Sequence, residues 1–322
     1  MTNALPYKTK QFFFVLIKLS IVVGAFYFIY QKLTNNADLS FSVFVAFLTK
    51  NNIFSPKNIV FLVFLSIFNW FLEILKWQKL VSYTKKISFK SATEQTLGSL
   101  TASLFTPNRI GEYGAKAIYY LSSFRKRIML INLLGNLLQM VVTVILGIIG
   151  FRFFVSEYDI NINYYKLARI AMLGLMTVIL IGFGIRKSKF TIKGFSLEKI
   201  KNFVLNFSRV TIAYGFVLSL LRYTIFSFQF YYLLHIFGVN INYLNAMIII
   251  TFMYLLASII PSIFIFDVII KGSVAIYLFT FIGVNELTIL SIVTIMWLLN
   301  FVLPSLFGSF YVLNFNFPKE TD

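Results

Sequence analysis

The sequence predicts an all-α polytopic membrane protein, with about six full spans and two re-entrant or broken helical hairpins arranged as an inverted repeat. Apolar residues make up 59% of the 322 residues and charged residues only 12%, too few to cover a soluble surface. Apolar runs of about 20 residues recur along the chain, and each matches a hydrocarbon core roughly 30 Å thick. Basic residues cluster in the gaps between these runs, as in polytopic membrane proteins.

The composition excludes several classes of function. The absence of Cys excludes disulfides, thiolate metal sites and Cys nucleophiles, and the single His235 excludes a metal site built on paired His. We therefore expect neither a metal nor a cofactor. The net charge of +18 would suggest nucleic-acid binding in a soluble protein. Because the basic residues follow the gaps between apolar runs, we expect no nucleic-acid partner.

Six apolar runs are long enough to span a bilayer. They cover approximately residues 12–30, 59–76, 128–150, 167–185, 210–236 and 287–313. The first run follows Lys8 and Lys10, carries Lys18 and lacks a small-residue cleavage site, which indicates an uncleaved anchor. Two further apolar segments, 94–121 and 246–283, are interrupted by Pro and by charged residues.

The distribution of Lys and Arg predicts the orientation. Seventeen lie in the N-terminal segment and in the gaps 76–90, 125–127 and 186–209, against five in the opposite gaps. This asymmetry predicts that the N-terminus lies on the cytoplasmic side of the membrane. Both gaps that flank 94–121 are basic, so this segment is expected to dip in and return on the cytoplasmic side. Segment 246–283 would dip from outside.

The predicted elements repeat. Residues 12–150 follow the order span, span, hairpin, span, and residues 167–313 follow it again upside down. We therefore treat 1–322 as a single transmembrane domain that is built from two pseudo-repeats. In inverted-repeat folds the substrate site lies near the bilayer midplane, where broken helices of the two halves meet.

The first interrupted segment carries the first polar constellation. Thr106 is expected to cap a helix whose first turn holds Pro107. Arg109, Glu112 and Lys116 would share one face of that helix, at spacings that favour ion pairs. The opposite face would be thin and closely packed because its residues are small, namely Gly111 and Gly114.

The second interrupted segment carries parallel chemistry. Pro261 breaks the apolar run, and Asp267 and Lys271 follow it at a spacing of four residues. Arg222 lies in the middle of the span 210–236 and has no partner nearby in the sequence. Intramembrane charges are expensive and are usually functional, so these groups are expected to face one another or water.

Taken together, these residues predict a midplane site for an anion. The candidate substrate-binding residues are Pro107, Arg109, Gly111, Glu112, Lys116, Arg222, Asp267 and Lys271. Their four cations and two anions leave a surplus of two positive charges, which a bound anion would balance. Helix N-termini after Thr106 and Pro261 would add N–H donors for a phosphate or carboxylate. Alternatively, the pairs Glu112–Lys116 and Asp267–Lys271 would only neutralise each other and stabilise helix packing, and Arg222 would snorkel or pair across helices.

The segment SLFTPNRIGEYGAKA (103–117), together with EILKWQKL (73–80), resembles the lysylphosphatidylglycerol synthase transmembrane-region family of flippase-like membrane proteins. The resemblance covers essentially the whole chain in span order. It implies a bacterial or archaeal inner-membrane protein, and in the two-part synthases this region is credited with flipping the lipid that a soluble domain makes. The first motif of the family is matched by Pro107, Arg109, Gly111 and Glu112.

The second family motif departs from the pattern. Family members have a glycine-rich stretch and a Glu after the second Pro, whereas this chain has SIFIF at 262–266, followed by Asp267 and Lys271. Because of this departure, the resemblance does not indicate which head group is transported. The chain ends at Asp322 without a soluble aminoacyl-transfer domain, so no synthase activity is expected.

Three functions compete. The first is a non-enzymatic flippase for an anionic lipid or lipid-linked head group, with anionic membrane lipids as partners. The second is a glycosyltransferase-like enzyme that uses a polyprenyl-phosphate donor and Asp38 as base; the lack of a D-x-D pair, the short outer loops and the lack of His or Cys near Asp38 argue against it. The third is a scaffold for a homo-oligomer or for envelope-biosynthesis partners, which leaves the intramembrane charges unexplained.

Overall fold

A computed structural model of the chain describes residues 55–104, 106, 109–158, 202–203, 205–259 and 267–318, with isolated positions between 19 and 49 and at 169. For residues 267–270 the description is limited to the backbone. Within these ranges the regular structure is helical, with no strand. The predicted spans 12–30 and 167–185 lie outside the described residues, apart from isolated positions.

Nine α-helices lie within the described residues. They are α1 (Pro56–Val81), α2 (Phe89–Ser103), α3 (Gly111–Ala117), α4 (Ser122–Glu157), α5 (Arg209–Ile236), α6 (Tyr243–Ile259), α7 (Asp267–Thr280), α8 (Glu286–Trp297) and α9 (Leu303–Leu313). A π-helical turn, Leu298–Val302, joins α8 and α9. Several helices begin where the sequence offers a cap: the Ser55, Ser88 and Ser208 hydroxyls each accept a bond from a backbone N–H in the first turn.

Four elements are long and apolar enough to cross a membrane, and the prediction of an all-helical membrane protein is confirmed at this level. They are Pro56–Val81, Ser122–Glu157, Arg209–Ile236 and Glu286–Leu313. These elements match four of the predicted spans, 59–76, 128–150, 210–236 and 287–313. The match follows from the length of an apolar helix, because about 20 residues cross the hydrocarbon core.

Both interrupted segments form helical pairs that turn back. In the first, the Tyr120 hydroxyl donates to Gln95 Oε1 at 2.9 Å, and the Tyr119 hydroxyl donates to the Glu94 carbonyl at 3.4 Å. The start of α2 therefore lies beside the end of α3. In the second, residues near the start of α6 and residues after α7 line one cleft, which includes Asn242, Asn245, Ile282, Gly283 and Asn285. Each segment thus enters and leaves at the same end of the bundle.

One end of the bundle is strongly basic. There the Tyr83 ring, which follows α1, packs against Phe207 before α5 at 4.2 Å between centroids, and the Arg127 guanidinium of α4 lies 4.8 Å from the Tyr83 ring. The described basic residues at this end are Lys79, Lys85, Lys86, Lys90, Arg125, Lys126, Arg127 and Arg209. At the opposite end the Tyr232 hydroxyl bonds to Asn58 at 3.0 Å. We call the first of these ends the basic end.

The main helix contacts join the two parts of the chain. Helix α1 packs on α5, α2 packs on α9, and α4 packs on α6. Glycines allow close approach in two of these contacts. Gly308 of α9 lies against the Leu97 carbonyl of α2, and Gly150 of α4 lies against Thr251 of α6. The Thr101 hydroxyl also donates to the Ser305 carbonyl at 2.9 Å, so α2 and α9 are held by backbone contact as well as by apolar packing.

Candidate functional site

A polar network joins three membrane-length elements near their midpoints. Arg222 Nε donates to Asn69 Oδ1 at 3.1 Å, which links α5 to α1. Asn69 Nδ2 donates to Asn300 Oδ1 at 3.0 Å, which links α1 to the π-helical turn. Asn300 in turn donates to Gln229 Oε1 at 2.9 Å. Asn69, Arg222 and Asn300 each lie more than three turns from the ends of their elements, so the network lies deep in the bundle.

The carboxylate of Glu73 lies beside two cations in this network. Lys76 Nζ is 2.7 Å and Arg222 Nη1 is 2.8 Å from Glu73 Oε2. Glu73 and Lys76 are buried, and Arg222 also lies 5.7 Å from the Trp70 ring. A buried carboxylate that is shared by two cations leaves one positive charge without its own counter-ion.

The carboxylate of Glu112 forms a second group of the same kind. Arg109 Nη2 lies 2.7 Å from one of its oxygens and Lys116 Nζ lies 2.8 Å from the other. Lys116 is almost fully buried, donates to Asn132 Oδ1 at 2.9 Å and lies 4.2 Å from the Trp77 ring. The ion pairs predicted from the spacing of Arg109, Glu112 and Lys116 are confirmed.

The two groups adjoin and form one unit, because Lys116, which binds Glu112, lies 4.2 Å from the ring of Trp77, the residue that follows Lys76. Among the described side chains this unit contains more cations than anions. The cations are Lys76, Arg109, Lys116 and Arg222, and the anions are Glu73 and Glu112. The surplus of two positive charges equals the one that the sequence predicts. In the observed unit, however, Lys76 and Glu73 take the places of Lys271 and Asp267.

Arg109 has an unusual backbone conformation. Its φ is 55°, in the left-handed region that non-glycine residues seldom adopt, and no other described non-glycine residue has a positive φ. Its Nε atom is buried without a hydrogen-bond partner in the described structure, while 31% of its side chain is exposed. Strain of this kind persists where the surroundings enforce it, most often at functional sites.

The two interrupted segments meet at one aromatic ring. The Arg109 guanidinium and Lys271 Nζ each lie 5.9 Å from the centre of the Phe301 ring. Arg109 precedes α3 and Lys271 belongs to α7, so the structure brings together cations that are 162 positions apart in the sequence. Phe301 belongs to the same π-helical turn as Asn300, and π turns within helices often mark functional sites.

Some of the expected residues cannot be placed. Pro107 and Pro261 lie outside the described residues. Asp267 begins α7, but its side chain lies outside the description, so its pairing with Lys271 stays a prediction. Arg222, which has no local partner in the sequence, binds Asn69 and Glu73 of another helix.

The expected helix after Thr106 is corrected in two respects. Helix α3 begins only at Gly111, because Arg109 in a left-handed conformation cannot belong to a right-handed helix. The Thr106 hydroxyl nevertheless accepts the Gly111 N–H at 3.0 Å. A Cβ on Gly111 would lie 2.8 Å from Thr106 Cγ2, so close packing is confirmed there. At Gly114 no atom of the described residues lies within 4 Å of a built Cβ, so these residues do not provide the close packing that the sequence predicts there.

We expect Thr106→Val to lower the free energy of unfolding by about 1 kcal/mol, because it removes a partly buried hydrogen bond at the start of α3. Thermal unfolding in detergent would measure the change. Thr93→Val is the matched control, since the exposed Thr93 hydroxyl bonds only to the Phe89 carbonyl of its own helix. Equal melting temperatures for both variants would contradict the prediction.

Several residues of the site were missed by sequence reasoning. Lys76 was counted among the cytoplasmic charges of the gap 76–90, but it is buried and paired with Glu73. The missed residues are Asn69, Glu73, Lys76, Asn132, Gln229, Asn300 and Phe301. A signal for two of them was present, because Glu73 and Lys76 are three residues apart inside a helix, a spacing that favours an ion pair.

The comparisons with known proteins identify the family. No curated protein and no solved structure matches the chain. Within the described residues, no group of three His, Cys, Asp or Glu could hold a metal ion. A family model described as the Lysylphosphatidylglycerol synthase TM region matches residues 12–308, which include the segment 103–117 and both interrupted segments. The chain therefore belongs to the Lysylphosphatidylglycerol synthase TM region family.

Proposed function

We propose that the protein is a flippase that moves an anionic lipid or lipid-linked head group across the bacterial cytoplasmic membrane, without catalysing a reaction. One observation carries the proposal. Buried and partly buried charges from α1, from α3 and the turn before it, and from α5 form a network with a cation surplus in the middle of the bundle. The two interrupted segments meet beside it. Membership in a membrane family whose name refers to a lipid is consistent with this role.

The charge balance favours an anionic ligand. Unpaired charges within a membrane protein are costly, so the excess of cations is stabilised by an anion or by water. The Arg109 side chain is partly exposed and its Nε has no partner among the described residues. A guanidinium presents a planar set of donors that matches the oxygens of a phosphate. A phosphodiester head group could therefore bind to Arg109, close to Lys271 and Phe301.

The inverted repeat is part of the proposal, and the helix contacts support it. If 12–150 and 167–313 are equivalent, α2 corresponds to α6, and α4 corresponds to the element of α8 and α9. The packing of α2 on α9 then corresponds to the packing of α6 on α4. Helix α1 corresponds to α5, and these two helices pack on each other. Such matching contacts are expected for two halves related by a pseudo-two-fold axis.

The orientation follows from the same arrangement. We propose that the basic end faces the cytoplasm, because Lys and Arg are enriched in the cytoplasmic loops of membrane proteins. The first interrupted segment enters and leaves at the basic end, and the second does so at the opposite end. The site would then be accessible in turn from either leaflet.

The test is lipid movement in vesicles that contain the purified protein and a fluorescent phosphatidylglycerol. Wild-type protein is expected to move the lipid between leaflets, as measured by the fraction that a membrane-impermeant reductant quenches. Arg109→Gln removes one charge and several donors, and we expect it to slow lipid movement at least ~10-fold.

Lys126→Gln is the matched control, because it removes an exposed charge at the basic end and is expected to preserve the rate. A folded Arg109→Gln variant that moves lipid at the wild-type rate would reject the site. The glycosyltransferase alternative depends on Asp38, which lies outside the described residues. Transfer of sugar from a polyprenyl-phosphate donor by the same preparation, lost in Asp38→Ala, would favour that alternative.

A further inference from the structure

The cleft at the end of the bundle opposite the basic end is lined by uncharged polar side chains. Its volume is about 520 Å³, within the range of about 300–1,000 Å³ that is usual for ligand sites. Its polar side chains are amides and hydroxyls, which belong to Asn240, Asn242, Asn245, Asn285, Thr288 and Tyr158. The described lining contains no Lys, Arg, Asp or Glu. We call this feature the asparagine cleft.

Two turns with the same sequence, Gly-Val-Asn, build the asparagine cleft. They are residues 238–240, after α5, and residues 283–285, after α7. In each turn the glycine has a positive φ, 74° in the first and 69° in the second. The valine N–H of each turn donates to the carbonyl five residues earlier, at 3.0 and 3.2 Å. This pattern is a Schellman motif, so both turns hold their asparagine in a defined place at the cleft.

Two of the asparagines also cap the helices that begin at the cleft. Asn242 Oδ1 accepts the Asn245 N–H at the start of α6, and Asn285 Oδ1 accepts the Leu287 N–H at the start of α8, both at 2.8 Å. Each cap uses the oxygen of the side-chain amide, which leaves the two N–H donors of its Nδ2. The caps therefore orient these donors at the cleft.

Thr288 is the most deeply buried polar residue of the lining. Its exposed fraction is 7%, yet it borders the cleft, and its hydroxyl forms no hydrogen bond within the described structure. Hydroxyls in helices often bond to a carbonyl of the preceding turn, as Thr294 of the same helix does with the Leu290 carbonyl at 2.7 Å. Thr288 instead leaves one donor and its acceptor capacity to whatever fills the cleft.

The charges around the cleft favour an uncharged ligand. Glu157 and Glu286 are exposed directly beside the lining residues Tyr158 and Asn285, and their carboxylates disfavour an anion. Helices α6 and α8 both begin at the cleft, and the positive ends of their dipoles disfavour a cation. Amides and hydroxyls that both donate and accept are matched by a ligand that carries several hydroxyl groups.

We propose that the asparagine cleft binds an uncharged, polyhydroxylated head group, namely the sugar of a glycolipid in the leaflet opposite the basic end. The Tyr158 ring packs against Phe154 at 4.7 Å between centroids, so it is held in place as an apolar wall for the ring carbons of a sugar. Binding depends only on the cleft. Passage of the same lipid across the membrane rests on the proposed flippase function.

A neutral glycolipid tests the wild-type protein directly. The protein in phosphatidylcholine nanodiscs is titrated with monoglucosyl diacylglycerol, or with diacylglycerol of the same acyl chains, and native mass spectrometry counts the bound lipid. We expect the glucosyl lipid to bind at least ~10-fold more tightly, because the cleft offers several hydrogen bonds to its sugar. Equal affinities would overturn the proposal without any substitution. Displacement of the glucosyl lipid by an equal concentration of free glucose would overturn the lipid source.

Two conservative variants locate the binding. Thr288→Val keeps the shape of the side chain but lacks the hydroxyl, and Asn285→Ser keeps a cap for α8 but lacks the amide donors. We expect each to weaken binding of the glucosyl lipid about 3–10-fold. Thr294→Val is the matched control, since Thr294 is 6% exposed in the same helix and its hydroxyl bonds to the Leu290 carbonyl. Wild-type affinity in both cleft variants would overturn the assignment to the cleft.

Phosphatidylglycerol separates the cleft from the proposed flippase site. If Thr288→Val weakened binding of phosphatidylglycerol and not of the glucosyl lipid, the cleft would bind an anion and the proposal would be overturned. A wild-type protein that prefers the glucosyl lipid but moves no lipid in vesicles would reject the flippase and retain the cleft. A protein that moves lipid without this preference would reject the cleft and leave the flippase proposal standing.

Discussion

Replacing Glu73 by Gln is expected to lower the free energy of unfolding by about 3–5 kcal/mol, the cost of breaking a buried ion pair at one partner. Glu73 is 8% exposed and contacts both Lys76 and Arg222. Gln has nearly the same shape, so the loss would be electrostatic. The buried Lys76 and the partly buried Arg222 would remain without their carboxylate. Unfolding of the protein in lipid bicelles, followed by the denaturant or thermal midpoint, would measure the change.

Two further variants make this prediction specific. Glu157→Gln removes the same charge from an exposed position at the end of α4, and we expect little change. The double variant Glu73→Gln, Lys76→Gln removes both members of one pair and preserves the net charge. It should recover a substantial part of the lost stability, because one buried cation disappears together with the anion. A Glu73→Gln protein as stable as Glu157→Gln would show that the ion pair contributes no stability.

Gly308→Ala is expected to destabilise the protein by about 1–3 kcal/mol, the usual cost of overpacking. A Cβ at this position would overlap the Leu97 carbonyl oxygen and the Thr101 hydroxyl. Helices α2 and α9 would have to separate, and the bond from Thr101 to the Ser305 carbonyl would be strained. This effect opposes the intrinsic preference of a helix for Ala over Gly, about 1 kcal/mol. The same unfolding measurement would determine which effect is larger.

Gly114→Ala is the control for this steric argument. Gly114 is helical, and among the described residues no atom lies within 4 Å of its built Cβ. Only the helix preference then remains, and we expect stability to rise by up to about 1 kcal/mol. The two substitutions are chemically identical and should shift the melting temperature in opposite directions. If both raised it, the contact between α2 and α9 would be looser than the structure shows.

The span positions and the breaks could be predicted because their causes are local. Four predicted spans match helices, since an apolar run of sufficient length is both helical and long enough to cross a bilayer. The ion pairs of Glu112 follow from spacings of three and four residues, which one turn of helix brings together. The family resemblance came from the same local segment, 103–117, and the match to residues 12–308 confirms it.

The rest depends on contacts between distant parts of the chain. The bond between Asn69 and Asn300 joins residues 231 positions apart, and the Arg222–Glu73 pair joins residues 149 positions apart. The spacing of Glu73 and Lys76 favours an ion pair, but it does not indicate that this pair also binds Arg222 of a distant helix. The left-handed backbone at Arg109 and the meeting of two turns in the asparagine cleft are likewise visible only in three dimensions.

The sequence by itself therefore determined that this is a helical membrane protein, where its apolar helices run, where two of its segments break, and which family it belongs to. Hydropathy and helical periodicity act over one or two dozen residues, and these features need no more. Only the tertiary structure decided which charges share one network, that Arg109 and Lys271 meet at Phe301, and which polar groups lack partners. Packing of helices sets these features, because it brings together side chains whose separation along the chain carries no information about their distance in space.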